Sequence, residues 1–227
     1  MSIKTNLQTI RHNIEQACVR SGRNVNDVKI VAVSKTVAVP QIREAIAAGI
    51  DTIGENRVPD ALLKHQEIGN TVAWHLIGHL QTNKVKKALQ IFNVIESVDS
   101  LHLAEEIDRR AQELNKIIDI FVQVNTSGEA GKTGFPPEQV EAVIPKLAEL
   151  THVRITGLMT IGALVDDPEL ARPEFCYLRN LRALLNEKYH IDTLQHLSMG
   201  MTNDYHIAIE EGATCVRIGR ALFGERS

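Results

Sequence analysis

Two hydrophobic rhythms alternate along the chain. Short aliphatic, largely β-branched runs cover 30–33, 52–54, 72–78, 94–98, 117–124, 153–159, 194–197 and 215–218. Most are apolar without a break, the pattern of strands covered on both faces rather than half-exposed ones. Between them, apolar residues recur three or four positions apart, which predicts helices over 40–48, 57–68, 83–89, 101–114, 136–150, one that follows a loop with Gly162, Asp166, Asp167 and Pro168 and runs to about Tyr189, and 204–211. A further helix over 7–20 precedes the first strand. Leu7, Ile10, Ile14, Ala17 and Cys18 share one of its faces, and Gly22 stops it.

Local signals support these boundaries. Pro40 begins a helix and Gly49 ends it. Pro59 fits only a first helical turn. Ser100 is a helix N-cap. Strand and helix alternate about eight times, which predicts a single (β/α)8 TIM-type barrel with an additional N-terminal helix, spanning 1–227 as one domain. An open doubly wound sheet is the alternative. The even repeat and the length favour closure.

Composition narrows the function. Of 227 residues, 44% are hydrophobic and 23% charged, enough core for a globular chain and too little polarity for a disordered one. A net charge of -3 gives no basis for nucleic-acid binding. Cys18, Cys176 and Cys215 form no paired spacing, so neither disulfides nor zinc is expected. Cys18 and Cys215 fit core packing. The N-terminus has no signal core and no run is long enough for a membrane span. The expectation is a soluble, cytoplasmic protein that uses no membrane. No exposed apolar stripe stands out, so a monomer is expected.

Chemistry in a barrel gathers where strands end and βα loops begin. Those positions hold Lys35, Glu55-Asn56, His75 with Gly78, Glu96 with Asp99, Asn125, Met159-Thr160, Ser198-Met199-Gly200 and Arg217-Ile218-Gly219. Glu96 and Asp99 fit polar strand ends that meet solvent. Lys35 reads either as a solvated strand-end charge or as an amine that attacks a carbonyl. The loops after the seventh and eighth strands form the usual phosphate site of this fold. Here they carry Ser198-Met199-Gly200 and Ile218-Gly219-Arg220, whose glycines let backbone N–H groups approach a phosphate, with Ser198 as a hydroxyl donor. An amine facing a phosphate cradle suits pyridoxal 5′-phosphate. Arg217 then stands where it could face the pyridine nitrogen and disfavour its protonation.

The motifs Val31-Ala32-Val33-Ser34-Lys35, Gly54-Glu55-Asn56-Arg57-Val58, His75 to Lys84, Gly157-Leu158-Met159-Thr160, Leu197 to Met201 and Val216-Arg217-Ile218-Gly219 occur in one order over nearly the whole chain. In these the sequence resembles the pyridoxal phosphate homeostasis proteins. The resemblance implies a barrel like the N-terminal domain of alanine racemase, with pyridoxal phosphate as a Schiff base on Lys35. It implies that Ser198, Gly200, Gly219 and Arg220 bind the phosphate, largely through backbone N–H groups. Arg217 would lie near the ring nitrogen, and Asn56 and Met199 would line the ring. It also implies buffering of the cofactor or its delivery to apo-enzymes that depend on it, with loss disturbing amino-acid and vitamin B6 metabolism. The sequence departs at Pro59-Asp60, where the family usually has Gln-Glu, and at Thr202, where it usually has serine.

Other readings carry less. His75 and His79, four apart, need not share a face, so no metal is expected. Gly131-Lys132-Thr133, in the loop 126–135, matches only the end of the P-loop signature and lacks its upstream glycine. Lys132 is instead a candidate to hand off or sense the aldehyde. The Lys84, Lys86, Lys87 run reads as a solvated face. An amino-acid racemase is the alternative function. It needs a second acid–base residue, which related racemases supply as a tyrosine from a C-terminal domain. The chain has only Tyr177, Tyr189 and Tyr205, and only Tyr205 falls near the mouth. A lysine aldolase also suits the fold, but its lysine usually sits on a later strand. A non-catalytic cofactor carrier is therefore expected.

Overall fold

The structure, a computed structural model, describes residues 2–129, 131–163 and 165–224. Ala130 of the loop at 126–135, and Met1 and 225–227 of the expected 1–227 domain, lie outside the described residues. Eight parallel strands close into a barrel in chain order: β1 (Lys29–Val33), β2 (Thr52–Glu55), β3 (Ala73–Leu76), β4 (Val94–Val98), β5 (Ile118–Gln123), β6 (Val153–Met159), β7 (His196–Met201) and β8 (Cys215–Ile218). The last strand returns to the first, with Lys29 opposite Cys215 and Ala32 opposite Ile218. Closure removes both sheet edges, which an open doubly wound sheet would leave.

The helices follow the local chemistry. Helix α1 (Ile3–Ser21) starts where the Ser2 hydroxyl accepts from the Thr5 N–H, and it ends where Gly22 takes φ +66°. The next helices are α2 (Val39–Ala47), α3 (Val58–Ile68), α4 (Val85–Ala88) and α5 (Leu101–Glu113), the last capped by the Ser100 hydroxyl. Then come α6 (Pro137–Ala148), α7 (Arg172–Tyr189), α8 (Tyr205–Glu210) and α9 (Arg220–Phe223). The expected helix over 83–89 is split into a 3₁₀ turn, Thr82–Lys84, and α4. The loop expected to lead into the helix ending near Tyr189 closes on a 3₁₀ turn, Pro168–Ala171, before α7.

Two apolar layers result from the period-two alternation of each strand. The larger lies between barrel and helices and includes Ala32, Ile53, Ile95, Leu197 and Met199. The smaller fills the barrel with Val31, Ile77, Val94, Phe121, Met159 and Cys215. Gly157 makes room for it, because a Cβ there would stand 2.8 Å from the Phe121 ring.

Strand β7 departs most from the expected 194–197. It begins at His196 and continues to Met201, opposite Arg217, past a register shift after Ser198. Gly200 permits this extension with φ +86°, and a Cβ there would meet the Ala208 Cβ at 2.5 Å and the Tyr205 Cα at 2.9 Å. Gly200 therefore lets α8 pack directly on β7. Gly200→Ala is expected to cost about 2–4 kcal/mol, the sum of an unfavourable φ and overpacking, read as a lower midpoint in denaturant unfolding of the ligand-free protein.

Candidate functional site

At the C-terminal ends of the strands lies a cavity of about 370 Å³, within the range of small-molecule sites. Lys35, Asn56, Arg217, Gly219 and Arg220 all line it. Strand β1 ends at Val33, so Lys35 is carried not by the strand but by a tight turn closed by the Val37 N–H to the Ser34 carbonyl, 2.9 Å. Thr36 in that turn has φ +65°, a conformation that is strained for a residue with a branched side chain.

Asn56 follows β2 directly. Its Oδ1 is buried and has no hydrogen-bond partner within the protein. A buried acceptor left in this state is costly unless something outside the chain donates to it. A ligand in the cavity that it lines is such a donor. Opposite, Gly219 and Arg220 stand at the start of α9, whose first N–H groups have no acceptor within the helix. An amine, an orphaned acceptor and a set of backbone donors around one cavity fit a small aldehyde bearing a phosphate.

Ser198, Met199 and Gly200 do not line the cavity; Met201, Thr202, Asn203 and Asp204 take their place. The cause is the extension of β7. Ser198 points into the barrel, where its hydroxyl donates to Glu96 Oε2 at 2.5 Å and accepts from Arg217 Nη1 at 2.7 Å. Its hydroxyl is therefore engaged inside the barrel. Met199 points the other way, into the layer beneath the helices, so its side chain does not line a ring at the mouth. Gly200 is accounted for by its φ and by the approach of α8.

Arg217, which lines the cavity, is the end of a buried polar chain inside the barrel. His75 Nδ1 lies 2.6 Å from Glu96 Oε1. Glu96 meets Ser198, and Ser198 meets Arg217. The other Arg217 Nη donates to the Thr160 carbonyl at 2.6 Å. Glu96 is fully buried, contrary to the expectation that it meets solvent. Val94 and Glu96 alternate on the inward face of β4, so position 96 has to face the barrel. A carboxylate inside an apolar-flanked strand is the signal for it. Burial pushes the Glu96 carboxyl up, but the His75 hydrogen bond, the charges of His75 and Arg217 and the Ser198 bond together hold it below the ordinary value. Burial likewise lowers Arg217, opposed by Glu96 and Asp204. Cys215, sealed against the same carboxylate, is pushed up to about 12 by burial first, so it is an inert thiol.

His79 takes a separate partner, Asp99, and does not join His75. Tyr205 turns away from the mouth: its hydroxyl accepts from Asn13 of α1 at 3.0 Å. Lys132 pairs with Glu129 outside the cavity. A larger groove of about 770 Å³ lies at the opposite pole, between α1 and the starts of β1 and β2. It holds no buried unpartnered polar side-chain atom among the described residues, and activity in this fold sits at the other face.

Comparison with known proteins places the chain among relatives. Residues 5–227 match the model of the family "Alanine racemase, N-terminal domain". A pyridoxal phosphate homeostasis protein of Aquifex aeolicus is 44% identical over 221 residues, 97% of this chain and 96% of that one. The structure of PipY of Synechococcus elongatus PCC7942 with PLP bound is 36% identical, with a TM-score of 0.86 over 98% of this chain and all of that one (100%). An alanine racemase of Clostridium difficile 630 shares the fold at a TM-score of 0.77, with 20% identity, over 99% of this chain and 60% of that one.

Because the Glu96 carboxyl sits below its ordinary value of 4.5, its contribution to stability is present above that pH and is lost as pH falls through the folded value. Glu96→Gln leaves Arg217 buried without its counter-charge and is expected to cost about 3–5 kcal/mol at pH 7. The gap between variant and parent should close as the pH falls below 4.5, followed by urea unfolding at a series of pH values. A gap that stays constant would show that the charge of Glu96 contributes nothing.

Proposed function

The chain belongs to the pyridoxal phosphate homeostasis proteins, within the family of the alanine racemase N-terminal domain, and we propose that it binds pyridoxal 5′-phosphate at the mouth of its barrel. The observation that carries this reading is one cavity shared by Lys35, the unpartnered Asn56 Oδ1 and the Gly219-Arg220 start of α9. Lys35 holds the aldehyde as a Schiff base. Gly219 and Arg220 receive the phosphate, with the first N–H groups of α9 and the exposed Arg220 guanidinium at the rim. Asn56 lies beside the ring, and Arg217 faces its nitrogen.

The bound cofactor supplies an electron sink for carbanions in enzymes that pair its nitrogen with an acid. A guanidinium in that place keeps the nitrogen unprotonated and the sink weak. Racemisation also needs an acid–base group on each side of the reacting carbon. No tyrosine among the described residues lines the cavity: Tyr205 faces Asn13, and Tyr189 donates to the Glu141 carbonyl. These features favour holding the cofactor over turning over amino acids. The protein acts in the cell as a buffer that hands the cofactor to apo-enzymes. Its exposed large apolar residues, among them Val19, Leu63, Ile117 and Tyr177, are scattered over separate elements, which suits a monomer.

Protein mixed with pyridoxal phosphate and passed through gel filtration should carry a visible absorbance band, and Lys35→Ala should carry none. A band retained by the variant would move the attachment to another lysine. Incubation of the loaded protein with L-alanine should yield no D-alanine, and sustained turnover would replace the carrier reading with a racemase.

A further inference from the structure

The turn that carries Lys35 is anchored from behind by a buried ion pair. The Ser34 carbonyl, which closes the turn by accepting from Val37, also accepts from Lys64 Nζ of α3 at 2.6 Å. The Ser34 hydroxyl donates to Glu55 Oε1 at 2.6 Å, and Lys64 donates to the same oxygen at 2.6 Å. Ser34 and Glu55 are fully buried, and the Lys64 side chain is only 12% exposed. Both the backbone and the side chain of the residue before Lys35 are therefore held by one pair of opposite charges.

This arrangement is expensive for a scaffold. A buried ion pair is often no more stabilising than apolar residues of the same volume, and this one leaves Glu55 Oε2 buried without a partner. What the pair does supply is direction. Lys64 reaches across from α3, and Glu55 rises from β2, so two elements fix a turn whose Thr36 is held in the left-handed region. Strain of this kind persists only where the surroundings over-determine the backbone.

We propose that Glu55 and Lys64 are positioning residues that aim the Lys35 amine at the aldehyde, an inference that rests on the Schiff-base reading above. In that reaction the neutral Lys35 amine adds to the aldehyde carbon. The C=N bond forms, and the carbonyl oxygen leaves as water with the two amine protons. Glu55 and Lys64 both bond to Ser34, the residue before Lys35. They act through Ser34, which sets where the Lys35 side chain departs from the backbone.

Pyridoxine 5′-phosphate separates aiming from binding, because it carries an alcohol in place of the aldehyde and cannot form the imine. The full-length Glu55→Gln/Lys64→Met variant removes both charges together and so avoids stranding one. It is expected to capture pyridoxal phosphate about 10–100-fold more weakly, the size of effect that outer hydrogen-bond partners carry where they orient a reacting ligand. Its affinity for pyridoxine 5′-phosphate should match the parent's. Capture is read as adduct on Lys35 after borohydride reduction and peptide mapping, and folding by circular dichroism and melting without ligand. If both ligands weaken together, or neither does, the positioning role is wrong. Should the double variant not fold, Ser34→Ala, which deletes only the hydroxyl bond to Glu55, allows the same comparison: loss of aldehyde capture alone supports the role, and any other pattern overturns it. A reduced adduct that persists in Lys35→Ala would instead sink the Schiff-base reading itself.

Discussion

A carboxylate sealed inside a closed barrel must be met by donors on every side, and Glu96 sets the terms for the rest of the interior. It rises from β4 and is satisfied by His75 from β3 and Ser198 from β7, while Ser198 is in turn held by Arg217 from β8. Four strands that are not all neighbours are thereby tied through side chains, in addition to the backbone ladder. Beneath this chain the barrel is filled in the ordinary way, by Val31, Val94 and Phe121 with Gly157 giving way to the ring. The polar layer sits above the apolar one, toward the mouth. Its position matters more than its net energy, because a buried charged chain says little about stability and more about a fixed geometry.

The mouth is consequently built on rigid supports from two sides. Arg217 is held by Ser198 and by the Thr160 carbonyl. Thr160 is itself fixed, its hydroxyl bonded to the Val124 carbonyl and to Thr126, and Thr126 meets Glu174 at the start of α7. On the far side, Lys35 stands on a turn gripped by Glu55 and Lys64. Neither Arg217 nor Lys35 depends on the conformation of a long loop. Sites supported in this way hold their geometry before a ligand arrives, which reduces the ordering cost of binding.

Much of this is legible in the sequence, and the parts that are not share a cause. Uninterrupted runs such as Val94 to Val98 and Val153 to Met159 identify their strands because both faces are buried. Ser100 and Gly22 mark helix ends because their capping chemistry is local. Strand β7 reads too short because Ser198 and Gly200 interrupt its apolar run, although the ladder to β8 carries it to Met201. That foreshortening puts Ser198 and Met199 at the mouth, when period two sends one into the barrel and the other outward. Glu96 reads as a solvent-facing strand end because its partners lie roughly 20 and 100 residues away along the chain. Pairings of that range leave no periodic trace. The Ser34, Glu55 and Lys64 set escapes for the same reason, since only the packing of α3 against β2 brings Lys64 to the turn.

The same long-range pairing bears on why such a site would keep a cofactor and not use it. Arg217, proposed to face the ring nitrogen, must stay charged while almost fully buried, and burial alone opposes that. Glu96 offsets the penalty, and His75 and Ser198 keep Glu96 ionised. The polar chain as a whole therefore acts to preserve a positive charge at the base of the cavity. On the proposed reading, that charge denies the ring the proton that carbanion chemistry requires, while leaving the aldehyde and the phosphate free to be held at their two ends. A neutral or acidic residue in place of Arg217 would no longer need Glu96 at all. On that reading, the cost of burying Glu96 is part of what would make the mouth a place for retention, with Lys35 as the tether.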